Sequence, residues 1–566
     1  MLMVPLPQTA TNEGSAARRD GRTLLASCSA FVVALLLLGT MLCTLFQKNL
    51  VSTVTEQGWG RELYGISAAL TKLRFGVGGA AVDQRLFATL MRSGLTSEPD
   101  PALGVRYPDN LRDARLLQSA LWRAQTIDLP PPPPANAAGE YIDLIGFSGD
   151  DIGLATYAYL AFETFGVNIP ALTYLYFVIV TASLVLYGIG HWRSVGAMTA
   201  VVALTLALYL VVCADFVNFR GSSAFFRGAG IDLKDPRFLG TIAAVPLLHM
   251  IVMWTRSGYR LGPIDYVAVA LQAAIFAFAL QIRSPVVWAV LALSTLWLIS
   301  GILALRRGRS LRPLFDWRRS RSAAIPITVL AVLLSARLLA GVTLHPVYHA
   351  TGDVPRHTFW QGLLSSLQIS PEWVKKYGAS VNNATDDAMP AEVARIAILK
   401  LPPEERQKYM NRDGSVKRTA LENFSRQAFV DLLRSDPKFV AHTFFIDKPM
   451  QAWLSERRFL GGLFSGLPIW NALVPPAAIM FLVFLVMQNT GVLRTLLVTA
   501  GLLPLFIVLS LLPNWLVILN PMVMIDNFLW IMALIVLLFV IVATLLIRYA
   551  RGDNRASRMT PLRTEL

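Results

Sequence analysis

The sequence predicts an all-α polytopic membrane protein. Of its 566 residues, 54% are hydrophobic and only 15% are charged, and the mean hydropathy is +0.51. Several apolar runs also reach the length of about 20 residues that a helix needs to cross the hydrocarbon core of a bilayer. A soluble protein of this size does not combine so little charge with such long apolar runs, so membrane helices should form most of the fold.

About ten apolar runs are predicted to be transmembrane helices. We expect them at residues 24–46, 170–190, 195–214, 239–254, 264–281, 286–305, 323–343, 469–488, 495–512 and 524–547. The first run is longer than the apolar core of a signal peptide, and no clear A-x-A cleavage site follows it. We therefore expect it to be retained as a helix.

The distribution of basic residues predicts the orientation. The formal net charge is +15, and the lysines and arginines are spread among short loops between apolar runs, which argues against a nucleic-acid partner. If the amino terminus is cytoplasmic, every inward segment is basic. Ten spans then return the carboxyl terminus to the cytoplasmic side, and no additional helix has to be assumed. Both tails, residues 1–23 and 548–566, are then cytoplasmic, and a bacterial inner membrane is the expected location.

Two long segments should face outward, and they divide the chain into regions. Residues 47–169 form the first outer loop within a membrane body of seven spans (24–343), and they contain the stiff spacer "LPPPPPANAAG". Residues 344–468 have helical composition and several helix-start signals, so they should form an outward helical cap. Spans eight to ten follow at 469–547.

A pair of acids lies just before the second span, in "FSGDDIGLATYAYLAFETFG". The stretch after Asp150 and Asp151 fits a helix lying in the membrane interface that ends at Gly166. Four aromatic side chains should dip into the lipid: Tyr157, Tyr159, Phe162 and Phe165. One acid could simply cap this helix. Alternatively, one carboxylate is a general base at the outer face, and its neighbour raises its pKa or helps to hold a divalent metal ion.

Three short stretches resemble the GT-C superfamily of polyprenyl-phosphate-dependent membrane glycosyltransferases. Many members carry a segment of the type Y-x-x-L-x-F-x-x-F-G-x-x-x-x-x-L before the second span, and the matching residues here are Tyr157, Leu160, Phe162, Phe165, Gly166 and Leu172. "DPRFLGTIAAVPLLHM" and "LHPVYHATG" are similar to pieces of bacterial members. The resemblance implies a GT-C-like fold, a lipid-linked sugar donor and an outward catalytic acid.

The catalytic acid of that superfamily usually lies soon after the first span, and here the sequence departs from the pattern. The acids nearest to the first span are Glu56 and Glu62, in "TEQGWGRELYG". We rank Asp151 and Asp150 above Glu56 as the base.

A second group of polar residues should meet the donor phosphate. Arg337 lies in the outer half of the seventh predicted span, and a guanidinium there either snorkels to lipid headgroups or binds an anion. His345 and His349 would complete a phosphate site. With Asp353 they also have the spacing of metal ligands on a helix, although Pro346 and Gly352 argue against a continuous helix.

Two polar positions have simpler expected roles. His249, within the fourth span, should form a hydrogen bond between helices. Asp447 and Lys448 should dock the cap onto the membrane next to Trp453.

Three functions remain open. The first is a glycosyltransferase that moves a sugar from a polyprenyl-phosphate donor to a glycan, lipid or protein acceptor in the cell envelope. The second is a transporter or flippase, which the scarcity of charge within the spans disfavours. The third is an O-antigen ligase or polymerase type of protein that uses outward Arg and His. No nucleotide-binding or serine-hydrolase motif occurs, so coupling to nucleotide hydrolysis is not expected.

Overall fold

A computed structural model of the chain gives its fold. The structure describes residues 13–47, 59–92, 114–137, 139, 141–146, 152–213, 236–255, 262–283, 286–306, 330–332, 334–335, 344–350, 359–370, 372–373, 388–410, 416–450, 469–488, 490–517 and 525–551. All structural statements below refer to these residues.

Long apolar helices form the body of the molecule. They are α1 (Glu13–Gln47), α6 (Ile169–His191), α7 (Val195–Cys213), α9 (Ala244–Thr255), α10 (Pro263–Ile282), α11 (Val287–Arg306), α18 (Ile469–Gln488), α19 (Thr490–Val517) and α20 (Ile525–Ala550). Four helical segments in the described part are long and apolar enough to cross a membrane: Thr23–Cys43, Ile169–His191, Pro263–Ile282 and Leu529–Ala550. Shorter apolar helices, including Val195–Val211 and Thr495–Ser510, accompany them. The chain is therefore a helical membrane protein.

The expected spans coincide with helices wherever the structure describes them. The fourth differs in detail, because it is built from the short helix α8 (Pro236–Leu239), a 3₁₀ turn (Gly240–Ala243) and α9. Most of the seventh expected span, 323–343, lies outside the described residues. The count of ten spans thus stays a prediction.

Helix α7 is the centre of the bundle. Every residue from Val195 to Val211 is buried, and α7 contacts α1, α18, α19 and α20. A helix that is apolar on all sides is stable only when other helices surround it. The outer helices instead leave apolar side chains exposed, such as Leu25 and Leu36 of α1 at 69% and 62%, which is typical of surfaces that face lipid.

Residues 47–169, which are predicted to face outward, are called the first outer segment here. Their described part forms a small layer of helices with one short sheet. Its helices are α2 (Trp59–Phe75), α3 (Gln84–Arg92), α4 (Ala114–Thr126) and α5 (Gly153–Phe165). Strand β1 (Val82–Asp83) pairs antiparallel with β2 (Leu144–Ile145), with Val82 opposite Ile145 and Asp83 opposite Leu144. This pairing of two residues per strand is the one sheet among the described residues, and the fold is otherwise helical, as the all-α prediction requires.

The second segment that is predicted to face outward, residues 344–468, is helical in most of its described part, and we call it the cap. Its helices are α12 (Val347–Ala350), α13 (Phe359–Ser365), α14 (Ala388–Leu399), α15 (Pro403–Tyr409), α16 (Arg418–Ser435) and α17 (Pro437–His442), and a π-helical turn (Thr443–Asp447) follows α17. The cap has its own core, formed by Leu363, Leu364, Leu367, Trp373, Met389, Phe429, Leu432, Phe439, Val440 and Phe444. Helix α13 also contacts α19 of the membrane body.

One carboxylate ties two cap helices together. Glu422 of α16 accepts hydrogen bonds from the backbone N–H groups of Phe359 and Trp360 at 2.8 Å each, and from that of Gln361 at 3.0 Å. These are the first amides of α13, which have no partner within their own helix. The negative charge also complements the positive end of the helix dipole.

Lys448 is buried within the cap, so the expectation that it docks on the membrane is wrong. It is 1% exposed, and its ammonium nitrogen lies 4.2 Å from the centroid of the Phe444 ring. Burial lowers the pKa of Lys448 to about 6, because a charged ammonium loses its hydration there. Asp447 pairs instead with His442, at 3.3 Å between Oδ2 and Nδ1, and Trp453 lies outside the described residues.

Candidate functional site

The site is organised around the turn between α2 and β1. Gly79 and Ala80 both adopt positive φ, at +68° and +57°, and Ala80 is the one non-glycine residue of this kind in the described ranges. Their carbonyl oxygens hold the start of the cap: Gly79 O accepts from the His345 N–H at 3.0 Å, and Ala80 O accepts from the Tyr348 hydroxyl at 2.9 Å. A strained turn thus links the two outer segments.

One hydrogen bond selects the tautomer of His345. Its Nδ1 accepts a hydrogen bond from the Val347 N–H at 3.2 Å, so in the neutral ring the proton is on Nε2. The ring packs edge-on against Tyr141, with centroids 5.0 Å apart. Burial lowers the pKa of His345 below its usual value, which favours the neutral ring at pH 7. The side chain therefore offers an N–H donor at Nε2.

His345 and His349 do not share a helix in the way that the metal hypothesis requires. Helix α12 spans only Val347–Ala350, so His345 and Pro346 precede it. The side chain of His349 and all of Asp353 lie outside the described part of the structure. No group of three or more His, Cys, Asp or Glu side chains suitable for a metal ion occurs among the described residues.

An ion network next to the turn was missed by the sequence analysis. Asp83 is fully buried, and its carboxylate accepts from Arg85 Nε at 3.1 Å and from Arg85 Nη2 at 2.6 Å. Arg85 also lies 3.3 Å from Asp143 and donates to the Pro130 carbonyl at 3.0 Å. Because Asp83 is already engaged by a paired guanidinium, it serves as a structural anchor rather than a free base. In the sequence these are ordinary charged residues, and nothing around them predicts that Asp83 is buried.

Two glycines anchor the segment that carries the acid pair. A Cβ at Gly146 would lie 2.7 Å from Cε1 of Tyr348, so this glycine lets the end of β2 approach the start of the cap. A Cβ at Gly153 would overlap the carbonyl group of Gln281 and lie 2.6 Å from the Ile282 nitrogen. The start of α5 is therefore pressed against the last turn of α10. Asp150 and Asp151 belong to the short stretch of chain between these two contacts.

A buried arginine lies at the α10 end of this stretch. Arg283 follows the last residue of α10 and is only 5% exposed, and its backbone N–H donates to Ala279 O at 2.8 Å. It is two residues from Gln281, which Gly153 contacts. The sequence did contain a signal for this residue, since Arg283 is a single charged residue between two apolar runs. The loop between these runs is so short that it was not considered as part of a site.

Helix α5 packs into the protein more than was expected. Tyr157 and Phe162 are 0% and 2% exposed, and the Tyr157 hydroxyl donates to the Leu172 carbonyl. The expectation that these two rings dip into lipid is therefore wrong, because α2, α6 and α10 cover that face. Leu160 and Glu163 are on the exposed side. Gly166, with φ +82°, ends the helix as expected, and Asn168 caps α6 by accepting from the Ala171 N–H.

The capping role of the acid pair is not realised at the N-cap position itself. That position is occupied by Ile152, which makes no side-chain cap hydrogen bond. Asp150 and Asp151 lie outside the described residues, as do Glu56 and Arg337. Their catalytic and phosphate-binding roles therefore stay predictions, and His345 is the one predicted site residue whose side chain the structure describes.

The histidines within the membrane body form a cluster of rings. His249 of α9 is 1% exposed, and its ring centroid lies 4.6 Å from that of His191 and 5.6 Å from that of Tyr187. Among the described residues its Nδ1 has no hydrogen-bond partner, so the expected hydrogen bond between helices is not seen at this atom. The cluster belongs to α6 and α9, away from the outer turn.

The fold defines the class of protein as a helical membrane protein. Comparisons of the chain with protein-family models, with curated proteins and with solved structures find no match.

Proposed function

We propose that this chain is a membrane glycosyltransferase that moves a sugar from a polyprenyl-phosphate donor to a cell-envelope acceptor. The proposed reaction takes place on the periplasmic side of a bacterial inner membrane. The acceptor is a glycan, a lipid or a protein.

One observation carries this proposal, namely the double anchoring of the acid segment. Its first contact is Gly146 against Tyr348 of α12, three residues after His345. Its second contact is Gly153 against the end of α10, beside buried Arg283. Asp151 is two residues from Gly153 in the sequence, and two residues of chain reach at most about 7 Å. The segment that carries the carboxylates is thus bounded by a contact with the His345 segment on one side and by a contact with the end of α10, next to Arg283, on the other.

The chemistry assigns a role to each group. The carboxylate of Asp151, or of Asp150, accepts the proton of an acceptor hydroxyl, and that oxygen attacks the anomeric carbon of the donor sugar. The bond from the anomeric carbon to the phosphate oxygen breaks, and the electron pair leaves with polyprenyl phosphate. A lipid-borne leaving group can remain in the bilayer, so the acids need only reach the membrane surface.

Cationic and donor groups would stabilise the charge that develops on the departing phosphate. Arg337 was proposed for this role from the sequence, together with His345 and His349. Arg283 joins them because a guanidinium offers paired, charge-assisted hydrogen bonds to phosphate. The Nε2–H of neutral His345 adds a donor without adding charge.

Turnover of a labelled donor tests the proposal. Purified chain in lipid nanodiscs, given radiolabelled polyprenyl-phosphate sugars and envelope extract, should release polyprenyl phosphate and label an acceptor. Asp151→Asn should abolish turnover while leaving donor binding intact, because the amide cannot accept the proton. Arg283→Lys should weaken donor binding, since an ammonium cannot form the paired contact.

The other two functions give different outcomes in the same assay. Full activity in Asp151→Asn and Asp150→Asn, with loss only in Arg337→Ala or His349→Ala, would favour ligase-type chemistry. Lipid movement across the bilayer without any glycosylated product would favour a transporter or flippase and would end the enzyme proposal. Glu163→Gln, on the exposed side of α5, is the matched control for removal of one outer carboxylate.

A further inference from the structure

The proline-rich stretch before β2 has a regular pattern of burial. Every third residue is half-buried, namely Leu129, Pro132 and Ala135, and the four residues between them are exposed: Pro130, Pro131, Pro133 and Pro134. A period of three is the period of the polyproline II helix, which has three edges. We call residues 129–135 the proline ridge. One edge lies on the protein, and the other two face outward.

Two arginines fix the chain that leads into the ridge. Arg74 donates to the carbonyl oxygens of Ala124 and Ile127 at 2.6 Å and 2.7 Å. Arg85 donates to the Pro130 carbonyl at 3.0 Å while it holds buried Asp83. The entry to the ridge is thus bound to α2 and to the sheet, and the five consecutive prolines stiffen the rest.

We propose that the proline ridge is a docking site for a protein partner whose groove is lined by aromatic side chains. Such grooves bind polyproline II segments by inserting pairs of proline rings between aromatic rings. The ridge offers Pro130 and Pro133 on one open edge and Pro131 and Pro134 on the other, and a groove that receives the face between these edges contacts all four rings. Because its conformation is already fixed, docking costs little conformational entropy.

The chemistry of the ridge favours a protein over a lipid surface as the occupant. The stretch "LPPPPPANAAG" contains no lysine, arginine or interfacial aromatic residue, which are the groups that attach a segment to headgroups. A simple spacer needs stiffness, but it does not need two edges of uniform, uncovered proline. The inference is independent of the sugar-transfer proposal.

Binding of a purified WW domain to the full chain in nanodiscs tests whether the open edges are accessible. The wild type should bind, Pro131→Ala should weaken binding by about tenfold, and Pro132→Ala should change it by less than about twofold. The two substitutions loosen the backbone equally, so they differ only in the edge that they alter. Absence of binding by the wild type, or equal losses in both variants, would overturn the proposal.

A photocrosslinking amino acid at exposed Asn136 tests for a partner in native membranes. A protein adduct should form in right-side-out vesicles, and a ten-residue proline peptide should suppress it. Pro131→Ala should also suppress it, whereas Pro132→Ala should not, and a crosslinker at exposed Lys400 should not give the same adduct. An adduct only with lipid, an adduct that the peptide leaves unchanged, or no adduct would contradict the proposal.

Discussion

Gly153 is a position where a single hydrogen atom in place of a side chain allows two helices to meet. Even a methyl group there would overlap the Gln281 carbonyl, which is backbone and cannot rotate away. We expect Gly153→Ala to push α5 from α10 and to lower the free energy of unfolding by about 1–3 kcal/mol. Gly501→Ala is the matched control, because nothing lies within 4 Å of its added Cβ.

Thermal unfolding of the two glycine variants in the same detergent measures this difference. Gly501→Ala should be neutral or stabilising by up to about 1 kcal/mol, since alanine is the better helix former. If Gly153→Ala unfolds at the wild-type temperature, then α5 does not press on α10. The acid segment would in that case lose its second anchor.

Lys448 predicts a dependence of stability on pH. Its pKa is about 6 in the folded protein, against an ordinary value of 10.5, so between these values the unfolded state binds more protons. Stability should therefore rise with pH from about 6 towards 10.5, by up to about 1.4 kcal/mol per pH unit. Lys448→Met removes the titrating group, and its stability advantage over the wild type should shrink as the pH rises.

Chemical unfolding of the wild type and of Lys448→Met at several pH values between 6 and 10 checks this expectation. Curves that stay parallel over the whole range would mean that the ammonium keeps its charge in the folded cap.

At the scale of residues, the sequence identified polar positions better than it identified their surroundings. His345 lies at the Gly79–Ala80 turn, a contact that no pattern in the sequence predicted. Arg283 and Asp83 were missed, since each lies next to an element that is distant in sequence: the end of α10 contacts α5, and Asp83 pairs with Leu144 of β2. Burial of a charged residue depends on tertiary packing, which no local pattern of residues contains.

Glu422 shows how one element holds another. Its carboxylate accepts three amides at the start of α13, and we expect Glu422→Ala to destabilise the cap by about 1–3 kcal/mol. Glu392→Ala is the matched control, because Glu392 forms only an exposed pair with Arg395 within α14. Exposed pairs of this kind contribute little.

Limited proteolysis of the cap measures this effect. Glu422→Ala should accelerate cleavage around α13, and Glu392→Ala should not. Equal rates in the two variants would show that the amides of α13 are satisfied without the carboxylate.

Arg85 links three elements of the first outer segment: β1, the stretch before β2, and the start of the proline ridge. Arg85→Ala would leave Asp83 as a buried charge without its guanidinium, at a cost of about 3–5 kcal/mol. Arg85→Lys should recover only part of this loss, because an ammonium cannot form the paired contact. Unfolding curves of the three proteins measure the order, and equal stability of the wild type and Arg85→Ala would contradict it.

The helices were easier to predict than the sheet. Apolar runs predicted α6 and α10 to within a few residues, and helix-start signals predicted that the cap contains helices, because these signals are local. Strands β1 and β2 have two residues each, which is too short for an alternating pattern of apolar and polar residues to predict them. They also lie more than sixty positions apart, so no hairpin signal connects them. The environment of the α5 aromatic face was predicted wrongly, because the sequence pattern of an aromatic helix is the same whether protein or lipid covers its rings.

At the scale of the whole molecule, the predicted orientation can be tested with thiol chemistry. In a variant without Cys28, Cys43 and Cys213, single cysteines are placed at Asn136, Lys400 or Ser557. A membrane-impermeant maleimide should label intact spheroplasts at the first two positions only. Labelling at Ser557 without lysis would reverse the topology and would end the proposal of an outward site.

The overall plan of the protein was accessible from composition, whereas its internal order was not. Long apolar runs are sufficient to predict a helical membrane body. They do not show which helix is central, because α7 is an apolar run like its neighbours. It differs from them in that other helices surround it on all sides. The convergence of the two outer segments likewise depends on contacts such as that of Tyr348 with Ala80, which are 268 positions apart.

The π-helical turn at Thr443–Asp447 explains why a lysine can occupy the interior of the cap. Such a turn contains one residue more than an α-helical turn, and each added residue rotates the subsequent side chains by about 100° around the helix axis. Removal of exposed Phe445 would restore the ordinary winding and would rotate Lys448 by about 100° relative to the buried Phe439 and Val440 of α17. The one additional residue in this turn thus sets the face of the helix on which Lys448 lies, and with it whether the amine is buried or hydrated.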